Sequence, residues 1–337
     1  MKRKIIIGDI HGCFDEFEKL LIKIGVTEED EIISVGDIVD RGPKSVALYD
    51  YFRNKKNAKV IIGNHERKHI NGVLSYAQKI VKIQFGKRYD EFVNWLKTLD
   101  YFYETEEALV VHAFFEHDIP LEEQRKEVLS GSTAGSRYLE KKYEENNWVS
   151  HYAGEKPIIY GHHVVGEKPK IENNTYGLDT GACHGGHLTA IELPSFTIHQ
   201  IKVADDYWKA ERKKWQLAVL EAKEWNKMTF DKIERQISRL KYIEDISIQN
   251  YLSAKEEWTK KHLLKIEDLR LLLKSKSKEI ITKFGIKAFN VHAKKYPYKV
   301  MLFRIKANNL SLEEMKRQLN TPEKIQQLEA QLSMPSK

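Results

Sequence analysis

An α/β fold built on a largely parallel sheet, followed by a mainly helical C-terminal domain, is predicted by three observations. Short runs rich in Ile and Val alternate with helical spacing, nearly all of the glycine precedes residue 190, and the charge balance changes sign near residues 203–207. Strand-like runs fall at residues 4–7, 31–35, 59–62, 108–111, 157–160, 187–193 and 196–201, and each of the first five leads straight into a Gly or a His. Between the first two runs, Phe14, Phe17, Leu20, Leu21 and Ile24 recur at helical spacing. Strand, helix and strand in succession is the pattern of an α/β sheet. The last two runs, joined across Pro194 and Ser195, predict a closing hairpin.

Residues 1–204 carry a charge balance of −4 and residues 205–337 a balance of +11, so we place two domains at these limits. In the second, apolar residues keep helical spacing from residue 207 to about 252, including Ile233, Ile237, Leu240 and Ile243. A second helical stretch covers residues 254–284. Ser311 with Glu314 fits a capping box, and Thr321 with Pro322 is an N-cap and N1 pair. Only residues 300–305 look strand-like, and there is no internal repeat.

Several classes are excluded at this stage. No apolar run approaches the ~20 residues needed to cross a bilayer, so no membrane partner is expected. The basic start followed by Ile5, Ile6 and Ile7 is too short an apolar stretch for a secretory signal and suits a first strand. Two cysteines, Cys13 and Cys183, form no disulfide framework and no structural zinc set, which fits a reducing, cytoplasmic setting.

The chemistry lies where the strands end. Gly8-Asp9-Ile10-His11-Gly12 follows the first run, Gly36-Asp37-Ile38-Val39-Asp40-Arg41-Gly42 the second, and Gly63-Asn64-His65-Glu66 the third. His112 closes the fourth and Gly161-His162 the fifth. Ligands of open α/β sheets bind at the carboxyl ends of the strands, so these segments are expected to form one site along one edge. A carboxylate can bridge two cations, and neutral imidazoles suit manganese, iron, zinc or nickel. Glycines let the backbone turn sharply and approach a substrate. Two metals ~3.5–4 Å apart can acidify a shared water and clamp an in-line displacement at phosphorus.

GDIHG, GDIVDRG and GNHE, then a His after a strand and a later GH, together resemble the calcineurin-like metallophosphoesterases, and within them the phosphoprotein phosphatase branch. The resemblance spans about residues 3–202 and extends to Gly177-Leu178-Asp179-Thr180-Gly181 and Gly185-Gly186-His187. It implies a β-sandwich flanked by helices. It also implies two divalent metal ions, with manganese favoured and iron, zinc, nickel or magnesium as alternatives. Asp9 and His11 would bind the first metal, Asp37 would bridge, and Asn64, His112 and His162 would bind the second. His65 would protonate the leaving oxygen, Asp40 would hold His65 in its charged form, and Arg41 would grip phosphate oxygens. A second phosphate-binding arginine is expected at Arg137, with Arg125 as competitor.

Three departures from the family pattern bear on the surroundings of the metals. Ala113-Phe114-Phe115 follows His112 where Ala-Gly is common, which reads either as a substrate wall or as ordinary core. His163 stands where Thr is usual, and Val164 takes the place of the second ligand of a GHxH pair, so His163 is read as a neighbour of the metals. His184 and His187 are read as rim residues; His69, His117, His151 and His199 as ordinary histidines.

The resemblance implies a phosphoester hydrolase in which metal-bound hydroxide attacks a phosphomonoester, as in bacterial and phage serine/threonine phosphatases. The alternatives are hydrolysis of dinucleoside polyphosphates such as diadenosine tetraphosphate, and action on nucleic-acid ends guided by the basic residues 205–337. Expected partners are a phosphoprotein or nucleotide substrate, with nucleic acid as the partner of the C-terminal domain. For the last, Arg212-Lys213-Lys214, Lys260-Lys261, Lys274, Lys276, Lys278 and Lys294-Lys295 supply charge. Trp208, Trp215, Trp225 and Trp258 could stack on bases; solvated helix faces and helix packing explain the same residues equally simply.

Overall fold

Alternation along the strands sends side chains to two different cores. In β1 (Lys4–Ile7), Ile5 and Ile7 join a core shared with the flanking helices, while Ile6 joins a second core on the opposite face. That second core holds Ile33, Ile191 and Leu193 from one sheet and Val110, Ile159 and Leu178 from another, so it is the filling between two sheets. The computed structural model describes residues 2–144 and 147–333.

The strands are β1, β2 (Glu31–Ser34), β3 (Ala58–Val60), β4 (Phe102–Glu104), β5 (Leu109–Val111), β6 (Ile158–Tyr160), β7 (Lys170–Glu172), β8 (Thr175–Gly177), β9 (His187–Leu193) and β10 (Thr197–Lys202). One sheet has the order β10-β9-β1-β2-β3 and the other β4-β5-β6-β8-β7. The first is parallel at β1–β2–β3 and closed by the antiparallel β9–β10 hairpin. The second is parallel at β5–β6–β8 with antiparallel edges. The layers are those of a β-sandwich with helices outside it. Helices α1 (Phe14–Ile24), α2 (Ser45–Asn54), α3 (Asn64–Ile70), α4 (Tyr76–Phe85) and α5 (Tyr89–Leu96) follow β1, β2 and β3. Helix α1 buries Phe17, Leu20 and Ile24, the spacing its sequence predicts, and ends at Gly25 in the left-handed region.

Three strands escape a sequence reading. β4, β7 and β8 have three residues each, too few to show a period, and β7 is exposed throughout. They complete the second sheet of the sandwich that the family resemblance implies.

The chain forms two compact units, Met1–Val219 and Leu220–Lys337. The compositional shift precedes this division because the helix Tyr207–Lys214 belongs with the first unit: Tyr207 packs on its core and donates a 2.9 Å hydrogen bond to Glu16. In the second unit a helix of 48 residues, Ile246–Ala293, runs unbroken through Ser253, where two helical stretches were expected, and kinks at Gly285 (φ 79°). Leu269, Leu273, Ile280 and Phe289 on this helix form one core with Leu302, Met315, Ile325 and Leu328. Residues 300–305 are not a strand; they lie in the helix Lys299–Lys306, where the four-residue spacing of Tyr298 and Leu302 buries both. Ser311 caps its helix, accepting from Glu314 N at 3.1 Å, but the reciprocal half of the expected capping box is absent because the Glu314 carboxylate bonds Arg304, Arg317 and Gln318; Thr321 Oγ1 accepts from Lys324 N at 3.3 Å. Among the described residues, no helix is long and apolar enough to cross a membrane.

The entry of β1 is tied to the turn before β2 by Arg3, which donates to both oxygens of the buried Asp30 at 2.9 and 2.6 Å. These hydrogen bonds hold the Asp30 carboxyl at about 2, below its ordinary 3.8. A carboxylate held low in the folded state stabilises it fully above the unfolded value, and that contribution disappears as pH falls through the folded one. Thermal melts should therefore show Arg3→Ala less stable than the parent at pH 6. The gap should narrow between about pH 4 and pH 2; a gap of constant size would refute the assignment.

Candidate metal centre

Five strand ends deliver the polar residues, three from the first sheet and two from the second. Asp9 and His11 follow β1, Asp37, Asp40 and Arg41 follow β2, and Asn64 and His65 open α3 after β3. His112 follows β5 and Gly161-His162 follows β6. The local backbone is strained: His11, Asp37, Asp40, Arg41 and His162 all have positive φ, which L side chains rarely adopt. Two glycines explain the close packing. A Cβ on Gly63 would collide with the Asp37 carboxylate, and one on Gly161 with that of Asp9.

Asp37 is the centre. Its Oδ2 lies 3.5 Å from His112 Nε2, 3.6 Å from His11 Nε2 and 4.0 Å from His65 Nε2. Its Oδ1 accepts from His65 N at 2.9 Å. His11 Nδ1 donates to Val39 O and His112 Nδ1 to Val35 O, both at 2.9 Å. Each Nε2 is thereby left as a lone pair aimed inward. His112 Nε2 and His162 Nδ1 both lie 3.2 Å from Asn64 Oδ1. The backbone N of His162 donates to Asp9.

Burial lowers the pKa values of His11, His112 and His162, so these imidazoles are neutral. Burial opposes a charge on Asp37, but the His65 ring and the His65 N–H on its Oδ1 favour it. Asp9 is pushed well above the usual carboxylate range by burial, then by the charges of Asp179 and Asp37, and burial lifts Asp179 to about 6. Lone pairs of neutral imidazoles and buried carboxylates converge here with too few protons between them. Two triads, His11/Asp37/His65 and Asp9/Asp37/His112, each have donor atoms within 4.8 Å of one another. This is a donor set for divalent cations, which Asp9, His11, Asp37, Asn64, His112 and His162 could hold.

Beside it lies a hydrogen-bonded chain. His65 Nδ1 donates to Asp40 Oδ2 at 2.6 Å, and Asp40 Oδ1 faces His69 Nε2 at 3.1 Å. His69 Nδ1 meets Tyr89 Oη at 2.9 Å, and Gln78 Nε2 donates to Asp40. Burial opposes a charge on Asp40, but His69 and His65 hold it ionised. On the open side of His65, Nε2 accepts from Arg41 Nη2 at 3.1 Å. Arg41 also adjoins Cys183, whose thiol burial raises to about 12; Cys13 is buried too, and both are free.

Glu66 braces the loops. Its carboxylate, fully buried, accepts from the backbone N of Asp37 (2.8 Å), Ile38 (3.0 Å) and Gly63 (3.0 Å).

The structure brings Asp9, His11, Asp37, Asp40, Arg41, Asn64, His65, His112 and His162 together in one place. It does not bring in Arg137, expected as a phosphate contact, which stands exposed on the helix Thr133–Leu139 with no hydrogen bond or ion pair to these residues. Arg125 is exposed and lies over the Tyr138 ring at 4.1 Å. Phe114 and Phe115 are core, with Phe114 backing the His162 ring at 5.3 Å. His163 is exposed and leans on His162, and His184 is exposed 3.9 Å from Asp206. His69 is more than an ordinary core histidine; it lies four residues after His65 on one helix face, and that spacing was the available signal. Gln78 carries no comparable signal, and Glu66 stands in the GNHE signature without a role assigned to it there.

The family profile described as calcineurin-like phosphoesterase matches residues 2–187, the segment that holds every one of the gathered donors. The chain belongs to the calcineurin-like phosphoesterase family. It is therefore a phosphoester hydrolase of a family that uses a dinuclear divalent metal centre. The asymmetrical bis(5'-nucleosyl)-tetraphosphatase PrpE of Bacillus cereus is 30% identical over 226 residues, covering 56% of this chain and 89% of the relative. The protein of the same name from Bacillus mycoides is likewise 30% identical over 226 residues. A crystal structure of a candidate diadenosine tetraphosphatase shares the fold, with a TM-score of 0.50, 22% identity, and coverage of 60% of this chain and 93% of the other.

Two outcomes test the centre of this phosphoesterase. Adding manganese should raise the melting temperature of the parent protein and chelation should reverse it, because cations relieve the buried charge at Asp37 and Asp9. Asp37→Asn should remove that response, and an undiminished response would contradict the assignment. Separately, Glu66→Ala leaves three buried N–H groups without an acceptor and should cost about 3 kcal/mol by denaturant titration; a loss below about 1 kcal/mol would mean the brace is dispensable.

Proposed function

We propose that this phosphoesterase hydrolyses dinucleoside polyphosphates, with bis(5'-nucleosyl) tetraphosphate as the substrate class. The supporting observation is the 30% identity with the asymmetrical tetraphosphatase of Bacillus cereus, which runs over 226 residues and 89% of that protein's length. Asp9, His11 and Asp37 would hold one divalent ion, and Asp37, Asn64, His112 and His162 the other, with manganese as the favoured metal. When bound, the ions supply Lewis acidity for water and for the phosphoryl oxygens.

The remaining work falls to side chains of this chain. Arg41 turns from His65 Nε2 to the non-bridging phosphate oxygens, a charge-assisted contact. A water oxygen bonds to phosphorus as the bond from phosphorus to the leaving oxygen breaks. Once Arg41 has turned away, His65 Nε2 takes a proton from solvent and gives it to the leaving oxygen, while Asp40 on Nδ1 fixes the ring and stabilises its charged form; the proton of the attacking water goes to solvent. Arg137, in preference to Arg125, is the second arginine of this reading on resemblance alone.

A second reading is a serine/threonine phosphatase acting on phosphomonoesters. The Asp40–His65 pair and its extension to His69, Gln78 and Tyr89 favour it, because a serine alkoxide needs a firmly held acid far more than a departing nucleotide phosphate does. Phosphorylated nucleic-acid ends form a third class, which would require the C-terminal unit to capture a strand.

With manganese present, kcat/KM for diadenosine tetraphosphate should exceed that for a phosphoseryl peptide by at least about tenfold, and the reverse order would favour the second reading. His65→Ala should lower turnover of the peptide by about 10²-fold or more and that of the tetraphosphate less. Failure of both substrates with every divalent metal, in protein that binds metal, would contradict both readings. Arg41→Ala should raise KM strongly, and comparing Arg137→Ala with Arg125→Ala identifies the second phosphate contact.

A further inference from the structure

The tryptophans of the C-terminal third are engaged within the fold. Trp225 is buried with its indole N–H on Leu220 O at 2.8 Å, while the half-buried Trp215 donates to Glu211, Trp258 packs on His262 and Trp208 on Tyr76. Charge is a different matter. Residues 274–306 hold ten Lys and Arg and a single carboxylate, Glu279.

Elsewhere in this unit cations and carboxylates are nearly equal in number, and about half of the cations sit in ion pairs, among them Lys241 with Glu256, Lys261 with Glu257, Lys265 with Glu329 and Arg270 with Glu267. In the basic segment Lys276 pairs with Glu279 and Arg304 with Glu314. Lys278, Lys283, Lys287, Lys294, Lys295 and Lys299 are exposed, and among the described residues none has a carboxylate within ion-pair distance. Balanced charge on a solvated helix therefore describes the rest of the unit but not this segment. Accumulated like charge without internal partners is an electrostatic footprint for an external polyanion.

The geometry gives the charge a track. After the kink at Gly285, Lys287 and Lys294 are seven residues apart and project within about 20° of each other. Lys306, from the next helix, reaches across to Asn290 Oδ1 at 3.2 Å. Between them runs a groove of about 440 Å³ lined by Asn290, Lys294, Phe303, Lys306 and Ala307, with cations, an amide and an aromatic ring but no acid. Nearby, the exposed Phe284 ring stacks on His292 at 3.6 Å. A bilayer surface would need an apolar stripe, yet the exposed Ile286 and Val291 are five residues apart and diverge by about 140°. Cations spread over two helices and the turn between them match a repeating anion, with amide and ring contacts available to sugars and bases.

We propose that residues 274–306 capture a nucleic-acid strand through its phosphodiester backbone. This is independent of the substrate assigned to the metal centre.

The test is fluorescence anisotropy with the full chain and labelled oligouridylate and oligothymidylate of about 20 nucleotides, run at about 50 and 200 mM salt. Both oligonucleotides should bind at the lower salt, and affinity should fall at least about tenfold at the higher. Replacing Lys283, Lys287, Lys294 and Lys299 together by Glu should weaken binding at least about twentyfold and flatten the salt slope. The melting temperature and hydrolysis of an aryl phosphate diester should stay unchanged. Replacing the paired Lys241 and Lys261 by Gln should change binding less than about twofold; if the Glu variant melts early, the same four positions are changed to Gln. No binding at low salt, equal binding by the quadruple variant, or binding to phosphatidylserine vesicles but to neither oligonucleotide would each overturn the proposal. A preference for the uridylate over the thymidylate would identify RNA as the source of the strand.

Discussion

Everything at the catalytic end of this molecule depends on one buried carboxylate facing three imidazoles. Asp37 sits at the meeting line of two sheets, with no water-exposed side to disperse its charge. His11 and His112 cannot help by donating protons, because each spends its Nδ1–H on a backbone carbonyl. A carboxylate among lone pairs is costly unless cations complete the arrangement. The strain in the turns carrying His11, Asp37 and His162 has the same origin: ordinary backbone would point these side chains elsewhere. Glu66 bears that strain from beneath, taking three backbone N–H groups of the second and third strand ends.

The two-sheet architecture follows from this need. β1, β2 and β3 bring Asp9, Asp37, Asp40, His11, Asn64 and His65, whereas β5 and β6 bring His112 and His162. Each set alone is half of a site. The apolar filling of Ile6, Ile33, Val110 and Ile159 brings the strand ends into one place, so a packing interaction fixes a coordination geometry. Around it, His65 divides its ring between Asp40 and Arg41, so that Nδ1 is anchored and Nε2 accepts from the guanidinium.

Most of this was legible in the sequence because the residues that make the chemistry are short-range: a Gly-flanked Asp or His directly after an Ile/Val run announces its own position. The second sheet was legible only in part: the family resemblance implies a sandwich and the runs of β5 and β6 stand out, but β4, β7 and β8 are too short to show a period. The roles of Gln78 and of Glu66, although the latter stands in the GNHE signature, depend on which carboxylate or backbone N–H the fold places against them. In the C-terminal unit, β-branched and aromatic composition at residues 300–305 suggested a strand, and packing of Tyr298 and Leu302 on the long helix decided for helix. Basic composition there was visible at once, but only ion-pair geometry separates the neutralised lysines from the unpartnered ones.

The central claim is that Asp37 joins two cations in one cluster. Crystals grown with manganese and measured at its absorption edge test this most directly. Two anomalous peaks about 3.5–4 Å apart, with Asp37 touching both, are predicted. A single peak that Asp37 does not touch, or two peaks without it between them, would contradict the account.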